Sequence, residues 1–174
     1  MIARVKICIV SDSHDRADAL AQAVREAKAQ GATAVVHCGD LIGTQTLKPA
    51  LALGLPMHLI HGNNVGDPAM LHNLARASGG QLQYYGPDAR IELAGRRVFV
   101  VHYHDYGYAM ACTGDWELVC CGHSHQAEAR QVASVKGSET WLVNPGTVAG
   151  LAAPATWALG DLAAMRFELR ELDR

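Results

Sequence analysis

Residues 5–14 read Val-Lys-Ile-Cys-Ile-Val-Ser-Asp-Ser-His, an apolar run that ends in two side chains able to bind a metal ion. Residues 5–10 predict a buried β-strand, because the run is short, apolar and rich in β-branched residues. Asp12 and His14 follow at the point where that strand would end. The stretch therefore predicts an α/β fold in which a buried strand carries polar ligands at its carboxyl end.

Four further motifs also follow apolar runs. They are Gly39-Asp40, Gly62-Asn63, His102-Tyr103-His104 and Gly122-His123-Ser124-His125. Loops at the carboxyl ends of strands in an open α/β sheet gather into one crevice, so we expect these side chains to converge. Any one motif alone is better explained as a turn, a helix cap or a core histidine. The ordered set favours a metal site.

The segments between the motifs predict helices over residues 17–30, 44–53 and 68–77, and strands over 34–37 and 57–60. Asp15 is expected to cap the first helix, Pro49 to interrupt the second, and Asp67 with Pro68 to begin the third. The second half predicts strands over 90–93, 96–101, 118–121, 127–132, 140–143 and 165–172, with one or two helical turns in 106–113. This order favours a four-layer α/β/β/α sandwich, with two mixed β-sheets flanked by helices, as a single domain over residues 1–174.

The composition is that of a globular protein, with 49% hydrophobic and 18% charged residues. A formal charge of −2 argues against a broad surface for nucleic acid but leaves a local basic pocket open. No apolar run reaches the roughly 18 residues of a membrane span, and residues 1–10 do not resemble a signal peptide. The five cysteines form no Cys-x-x-Cys motif, so we expect buried thiols in a reduced, cytoplasmic protein.

The candidate ligands combine carboxylates, imidazoles and one amide oxygen. This mixture suits Mn²⁺, Fe²⁺, Ni²⁺ or Zn²⁺ better than Ca²⁺, which takes oxygen ligands only. The five ordered motifs resemble those of the calcineurin-like metallophosphoesterase superfamily. Three features narrow the resemblance to small YfcE-like phosphodiesterases. They are the chain length, the His-x-His form of the last motif and the following Asn144-Pro145-Gly146-Thr147.

The resemblance implies two divalent transition metal ions, with Mn²⁺ expected first. It implies a phosphoric ester hydrolase that attacks small phosphodiesters with a hydroxide shared by the metals. One ion would be held by Asp12, His14 and His125, the other by Asn63, His102 and His123, and Asp40 would bridge them. His104 would hydrogen-bond a phosphate oxygen or protonate the leaving group. The catalytic set is therefore His104, Asp40 and Asn63.

One motif departs from the family pattern. Relatives often have a His or Cys and then an acid after Gly-Asn, whereas this chain has Asn64 and Val65. The departure favours substrates with a good leaving group, or slow turnover.

Other interpretations stay open at the level of sequence. A protein-binding scaffold of the same fold could lose its ligands, whereas all seven positions here hold usable ones. A nuclease is disfavoured, because no basic stretch interleaved with aromatic residues occurs. The expected partner is a small phosphoester; a homodimer or tetramer stays open, with the apolar residues 151–159 as a candidate interface. Tyr103, Tyr106 and Tyr108 are either a substrate wall or packing residues.

Overall fold

Strand β1, Lys6–Val10, lies inside a six-stranded sheet in the computed structural model, which describes residues 5–172. The other strands of this sheet are β2 (Ala32–His37), β3 (Met57–Leu59), β4 (Leu82–Tyr84), β10 (Thr156–Asp161) and β11 (Arg166–Glu171). The strand order is β11-β10-β1-β2-β3-β4. Strands β1 to β4 are parallel, whereas β10 and β11 are antiparallel to their neighbours. The sheet is therefore mixed.

A second mixed sheet contains five strands. They are β5 (Asp88–Leu93), β6 (Arg96–Val101), β7 (Leu118–Cys120), β8 (Glu128–Ala133) and β9 (Glu139–Asn144). In the order β5-β6-β7-β9-β8, the three inner strands are parallel and the two edge strands are antiparallel to them.

Successive side chains of β1 point to opposite faces of the first sheet. Ile7 and Ile9 pack between the sheets, in a cluster that includes Val98, Val100 and Leu118 of the second sheet. Cys8 and Val10 face the other way and pack in a cluster with helix residues. Because both faces of β1 are buried, its sequence reads as one apolar run and not as an alternation of polar and apolar residues.

Helices cover both outer faces. Helices α1 (Ala17–Ala29), α2 (Thr44–Leu51) and α3 (Pro68–Ala77) lie on the first sheet, and α4 (His104–Cys112) lies on the second. The four-layer α/β/β/α sandwich predicted from the sequence is confirmed. None of the helices in residues 5–172 has both the length and the apolar character that crossing a bilayer demands.

Four details of the helices test the sequence predictions. Asp67 accepts a hydrogen bond from the Met70 N–H at 3.0 Å, so its predicted role at the start of α3 is confirmed. The prediction for Asp15 is wrong: the residue before α1 is Arg16, and no side chain caps that helix. Pro49 lies inside α2, which continues through it to Leu51. The fourth helix begins at His104, two residues before the expected turns.

Two strands were missed by the sequence prediction, β4 and β10. β10 changes the interpretation of residues 151–159, because Trp157 and Ala158 are fully buried within this chain. Residues 156–159 therefore do not form an exposed apolar interface. All five cysteines are free, and four of them are buried, as the composition predicted.

Candidate metal centre

The predicted site residues follow the ends of parallel strands from both sheets. Asp12, Asp40 and Asn63 follow β1, β2 and β3, while His102 and His123 follow β6 and β7. Backbone bonds join the loops: the Asp12 N–H donates to the Gly39 carbonyl at 2.9 Å, and the Gly122 N–H donates to the His102 carbonyl at 2.8 Å. Neighbouring loops within each sheet are therefore joined.

A side-chain hydrogen bond connects the two sheets directly. The backbone N–H of His123 donates to Asp12 Oδ2 at 3.0 Å. The approach is so close that a Cβ on Gly122 would lie 1.9 Å from Ser11 Oγ and 2.7 Å from Asp12 Oδ2. Glycine is required here because any side chain would separate the loops.

The backbone of the site is unusual. Eight non-glycine residues among those described have positive φ, and five of them are predicted ligands: Asp12, His14, Asp40, His123 and His125. The left-handed region is disfavoured for residues with a Cβ, and such conformations cluster at functional sites. Five of the seven predicted ligands thus share this backbone conformation.

Asp12, His14 and His125 form the first group of candidate ligands. Their ligand atoms lie within 4.8 Å of one another. His125 Nε2 is 3.2 Å from Asp12 Oδ1, and the rings of His14 and His125 meet edge to face with centroids 5.8 Å apart.

Asp12 also belongs to the second group, with Asp40 and His102. His102 Nε2 lies 3.1 Å from Asp40 Oδ1 and 3.9 Å from Asp12 Oδ1. The other oxygen of Asp40 lies 3.9 Å from His14 Nε2 in the first group. Asp40 therefore stands between the two groups, and Asp12 contributes to both.

Hydrogen bonds fix which ring nitrogen faces the centre in two of the histidines. His102 Nδ1 donates to the Cys38 carbonyl at 2.8 Å, and His125 Nδ1 donates to the Leu151 carbonyl at 2.9 Å. In a neutral imidazole the second nitrogen then carries the lone pair. Both Nε2 atoms consequently face the carboxylates as acceptors, which is the usual arrangement of a histidine that binds metal.

Several atoms at the centre lack hydrogen-bond partners. Asp12 Oδ1, His14 Nε2 and His102 Nε2 are buried and form no hydrogen bond with any described residue. Each buried polar atom without a partner costs roughly 1–3 kcal/mol. A divalent cation would satisfy all three at once, and carboxylates with imidazoles are a suitable donor set. The residues therefore fit a metal ion.

Asn64, which sequence analysis treated only as a departure from the family pattern, orients Asp40. Its backbone N–H donates to Asp40 Oδ1 at 2.9 Å, and its side-chain amide donates to Oδ2 at 2.8 Å. Burial acts to raise the pKa of the Asp40 carboxyl, but the nearby His102 ring and the hydrogen bonds from Asn64 outweigh burial and hold that pKa well below its usual range. Asp40 is thus an oriented carboxylate at neutral pH.

The pKa of His102 reflects the same concentration of negative charge. Burial acts to lower it, but the nearby carboxylates of Asp40 and Asp12 outweigh burial and raise it. The centre therefore attracts positive charge, which a metal ion would supply.

Comparison with known proteins extends this description. Residues 5–165 match the model of the calcineurin-like phosphoesterase superfamily domain. The chain belongs to the calcineurin-like phosphoesterase superfamily. It is 25% identical over 148 residues to phosphodiesterase MJ0936 of Methanocaldococcus jannaschii, covering 84% of this chain and 86% of that protein.

Solved structures share the fold of this chain. A novel archaeal phosphodiesterase superposes with a TM-score of 0.86 at 23% identity, over 97% of this chain and 100% of the other. YfcE, a phosphoesterase from E. coli, gives a TM-score of 0.60 at 17% identity, over 97% of this chain and 100% of the other. At these identities the superpositions show the fold alone.

The remaining predicted site residues lie around the centre. The His123 side chain is exposed, and its ring meets His102 edge to face at 5.1 Å between centroids. Asn63 is also exposed, on a loop so close to the centre that a Cβ on Gly62 would lie 2.1 Å from Asp40 Oδ1. Their roles as ligands stay predictions.

His104 is the first residue of α4, and its side chain lies near Glu128. Its Nε2 lies 3.4 Å from Glu128 Oε1, and Glu128 also accepts from Arg130 Nε at 3.0 Å. Its predicted role as a proton donor stays a prediction.

Three polar residues form hydrogen bonds that support the loops of the site. Asn144 donates to the Gly122 carbonyl at 3.1 Å and to Ser124 Oγ at 2.9 Å. Thr147 Oγ1 donates to the Asp12 carbonyl at 3.0 Å. His37, fully buried, accepts from the Gly39 N–H at 3.1 Å and lies 2.9 Å from Ser13 Oγ. His37 matches no ligand position in the sequence motifs, so the sequence did not point to its contacts.

Proposed function

We propose that this chain is a phosphoesterase that depends on two divalent metal ions and hydrolyses small phosphodiesters. Asp12, His14 and His125 would hold one ion, Asn63, His102 and His123 the other, and Asp40 would contact both. The observation that carries the proposal is the pair of groups that share Asp12, with three buried ligand atoms lacking other partners.

When bound, two such ions would activate water as a nucleophile and offset the charge that develops on the phosphoryl oxygens. The chain supplies the geometry. Asn64 fixes both oxygens of Asp40, and the Cys38 carbonyl fixes the ring of His102. Because these groups are already oriented before substrate binds, little reorganisation is needed during the reaction.

We propose a phosphodiester in preference to a monoester because of the charges near the centre. A monoester carries up to two negative charges, which Arg or Lys usually offsets. The cavity that borders His102 has no Lys or Arg among its lining residues, all of which the structure describes, and it contains Asp88. A singly charged diester fits such surroundings better.

The test is hydrolysis of bis-p-nitrophenyl phosphate by protein stripped with a chelator and then supplied with Mn²⁺, Ni²⁺, Fe²⁺ or Zn²⁺. We expect activity to depend on added metal, with Mn²⁺ most effective, and a smaller rate on p-nitrophenyl phosphate. Asp40→Asn should impair the binding of both ions. No turnover with any of these metals would contradict the proposal.

His104 is proposed as the proton donor to the leaving group. An acid matters more when the leaving group is poor, so His104→Ala should lower kcat/KM by about 10²-fold or more for a diester that must expel an alkoxide. The loss should be much smaller for one that expels p-nitrophenolate. Equal losses for both substrates would assign His104 a role other than proton transfer.

The alternative function is a protein-binding scaffold with little catalysis. The scaffold predicts partner binding that is unchanged by removal of metal, together with no hydrolysis. Retention of ligand residues at all seven positions favours the enzyme. A cytoplasmic location is proposed from the five free cysteines, and a homodimer or tetramer stays a proposal that sedimentation would test.

A further inference from the structure

A cavity of about 310 Å³ borders the candidate metal centre on the side of His102. Its walls include His61, Pro87, Asp88, Tyr103 and Tyr106. Cavities of about 150 Å³ already accommodate a benzene ring, so this one has room for a single-ring or double-ring group. His102 is itself in the lining, and a group held there would be adjacent to a phosphate at the centre.

The tyrosines of this cavity keep much of their surface exposed. Tyr106 is 64% exposed and Tyr103 is 39% exposed. Their rings meet edge to face with centroids 5.5 Å apart, and Tyr103 also meets the ring of His123 at 4.7 Å. A row of aromatic rings thus leads from the candidate ligands into the cavity. Exposed aromatic surface of this kind commonly marks a binding site.

The chemistry of the cavity indicates what it holds. Aromatic walls favour a flat ring, which they contact by stacking or edge-to-face packing. The carboxylate of Asp88 would repel a second phosphate or another anion, and it would accept hydrogen bonds from amino groups. A neutral aromatic substituent, with or without an amino group, satisfies both conditions.

We propose that this cavity binds the aromatic ester group of the substrate that stays on the phosphate, so that the enzyme prefers aryl or nucleoside phosphodiesters to alkyl ones. This inference rests on the proposed phosphodiesterase function. It assigns Tyr106 a role in substrate specificity, and it places the ring on the side of the centre occupied by His102.

The experiment compares two diesters with one leaving group, methyl p-nitrophenyl phosphate and phenyl p-nitrophenyl phosphate, in the presence of Mn²⁺. For each protein, kcat/KM for the phenyl diester is divided by kcat/KM for the methyl diester. This ratio is then divided by the ratio of the uncatalysed rates of the two diesters, which removes the difference in their intrinsic reactivity. We expect a corrected ratio of about 10 for the wild type, the size of a favourable ring contact. Tyr106→Ala should reduce the corrected ratio to about 1, whereas Tyr106→Phe should largely retain it.

Tyr108→Ala is the matched control. Tyr108 is on the same helix and is 45% exposed, but it lies against Arg130 and is not in the cavity lining. The control should keep the wild-type ratio. A wild-type ratio near 1, or a ratio that Tyr106→Ala leaves unchanged, would overturn the inference. Hydrolysis of the methyl diester in the same assay would still uphold the proposed function.

Absence of hydrolysis of both diesters would instead count against the proposed function. Calorimetric titration then tests the cavity separately, with diphenyl phosphate and dimethyl phosphate as probes. Binding of diphenyl phosphate about tenfold tighter, lost in Tyr106→Ala, would uphold the cavity as an aromatic site. Equal binding, or no binding of either probe, would overturn it.

Discussion

At the scale of single residues, Asn64 determines how Asp40 is presented. It donates to both carboxylate oxygens; Asn64→Ala would keep the backbone bond and remove the side-chain bond. Loss of such a supporting contact typically lowers metal affinity about 10–100-fold. We expect a decrease in this range for Mn²⁺ by isothermal titration calorimetry. Asn73→Ala, at an exposed position of α3, is the control and should bind Mn²⁺ as the wild type does. Equal affinities in the two variants would contradict the role.

His37 makes stability depend on pH. Burial lowers the pKa of its imidazole to about 3, and the charge of His102 acts in the same direction. The unfolded histidine takes up a proton below about pH 6.5, whereas the folded one stays neutral down to about pH 3. The free energy of unfolding should therefore fall as pH decreases from 6.5, by roughly 1.4 kcal/mol per pH unit for one proton.

The measurement is urea unfolding of metal-free protein between pH 7.5 and 5. His37→Gln lacks the titrating group, so its free energy of unfolding should decline less steeply than that of the wild type. The comparison isolates His37, because the other histidines are present in both proteins. Parallel pH profiles would show that His37 does not contribute.

Residues also differ in how well the sequence predicts them. The sequence could predict that one group of side chains converges, because each follows a strand end in an ordered set of motifs. These residues are Asp12, His14, Asp40, His102 and His125. Asn64 could not be predicted as the partner of Asp40, because the two are 24 positions apart and meet only through the path of the loop after β3. Asp15 was assigned as a cap from local pattern alone, but α1 begins without a side-chain cap.

At the scale of elements, β10 is an internal strand of the first sheet. It pairs with β1 on one side and β11 on the other, and Trp157 is fully buried. Trp157→Ala should cost roughly 3–5 kcal/mol of unfolding free energy, the usual effect of removing a large buried aromatic side chain. Urea denaturation measures the loss. Trp141→Ala is the comparison, since Trp141 is only partly buried and should cost less. A smaller loss at Trp157 than at Trp141 would be inconsistent with this account.

The elements that sequence predicted well have a strong local signal. α3 has an N-cap aspartate and a proline at its first position, and β1 is an apolar run. β4 has three residues, too few to show a period. β10 reads Thr-Trp-Ala-Leu-Gly-Asp and is buried along most of its length, so it lacks the alternation that marks a half-exposed strand. Its position between β1 and β11 depends on pairing across the sheet, which a local sequence pattern does not show.

At the scale of the whole molecule, the proposed ions would connect loops from both sheets and stabilise the folded chain. A ligand at 100 times its Kd adds about 2.7 kcal/mol when only the native state binds it. Mn²⁺ added to chelator-treated protein should therefore raise the Tm in calorimetry. Ca²⁺ at the same concentration should raise it less, because the candidate site is rich in imidazole. Asp40→Asn should remove most of the Mn²⁺ effect. Equal shifts for both ions would argue against the assigned ligand set.

The bond between the His123 N–H and Asp12 joins residues that are 111 positions apart, and this separation affects biosynthesis. A chain that is still being translated has Asp12 and His14 outside the ribosome long before His125 has been added. Under the proposed assignment, neither ion has a complete set of ligands until that late point. Complete metal binding then requires residues from both sheets and comes late in synthesis.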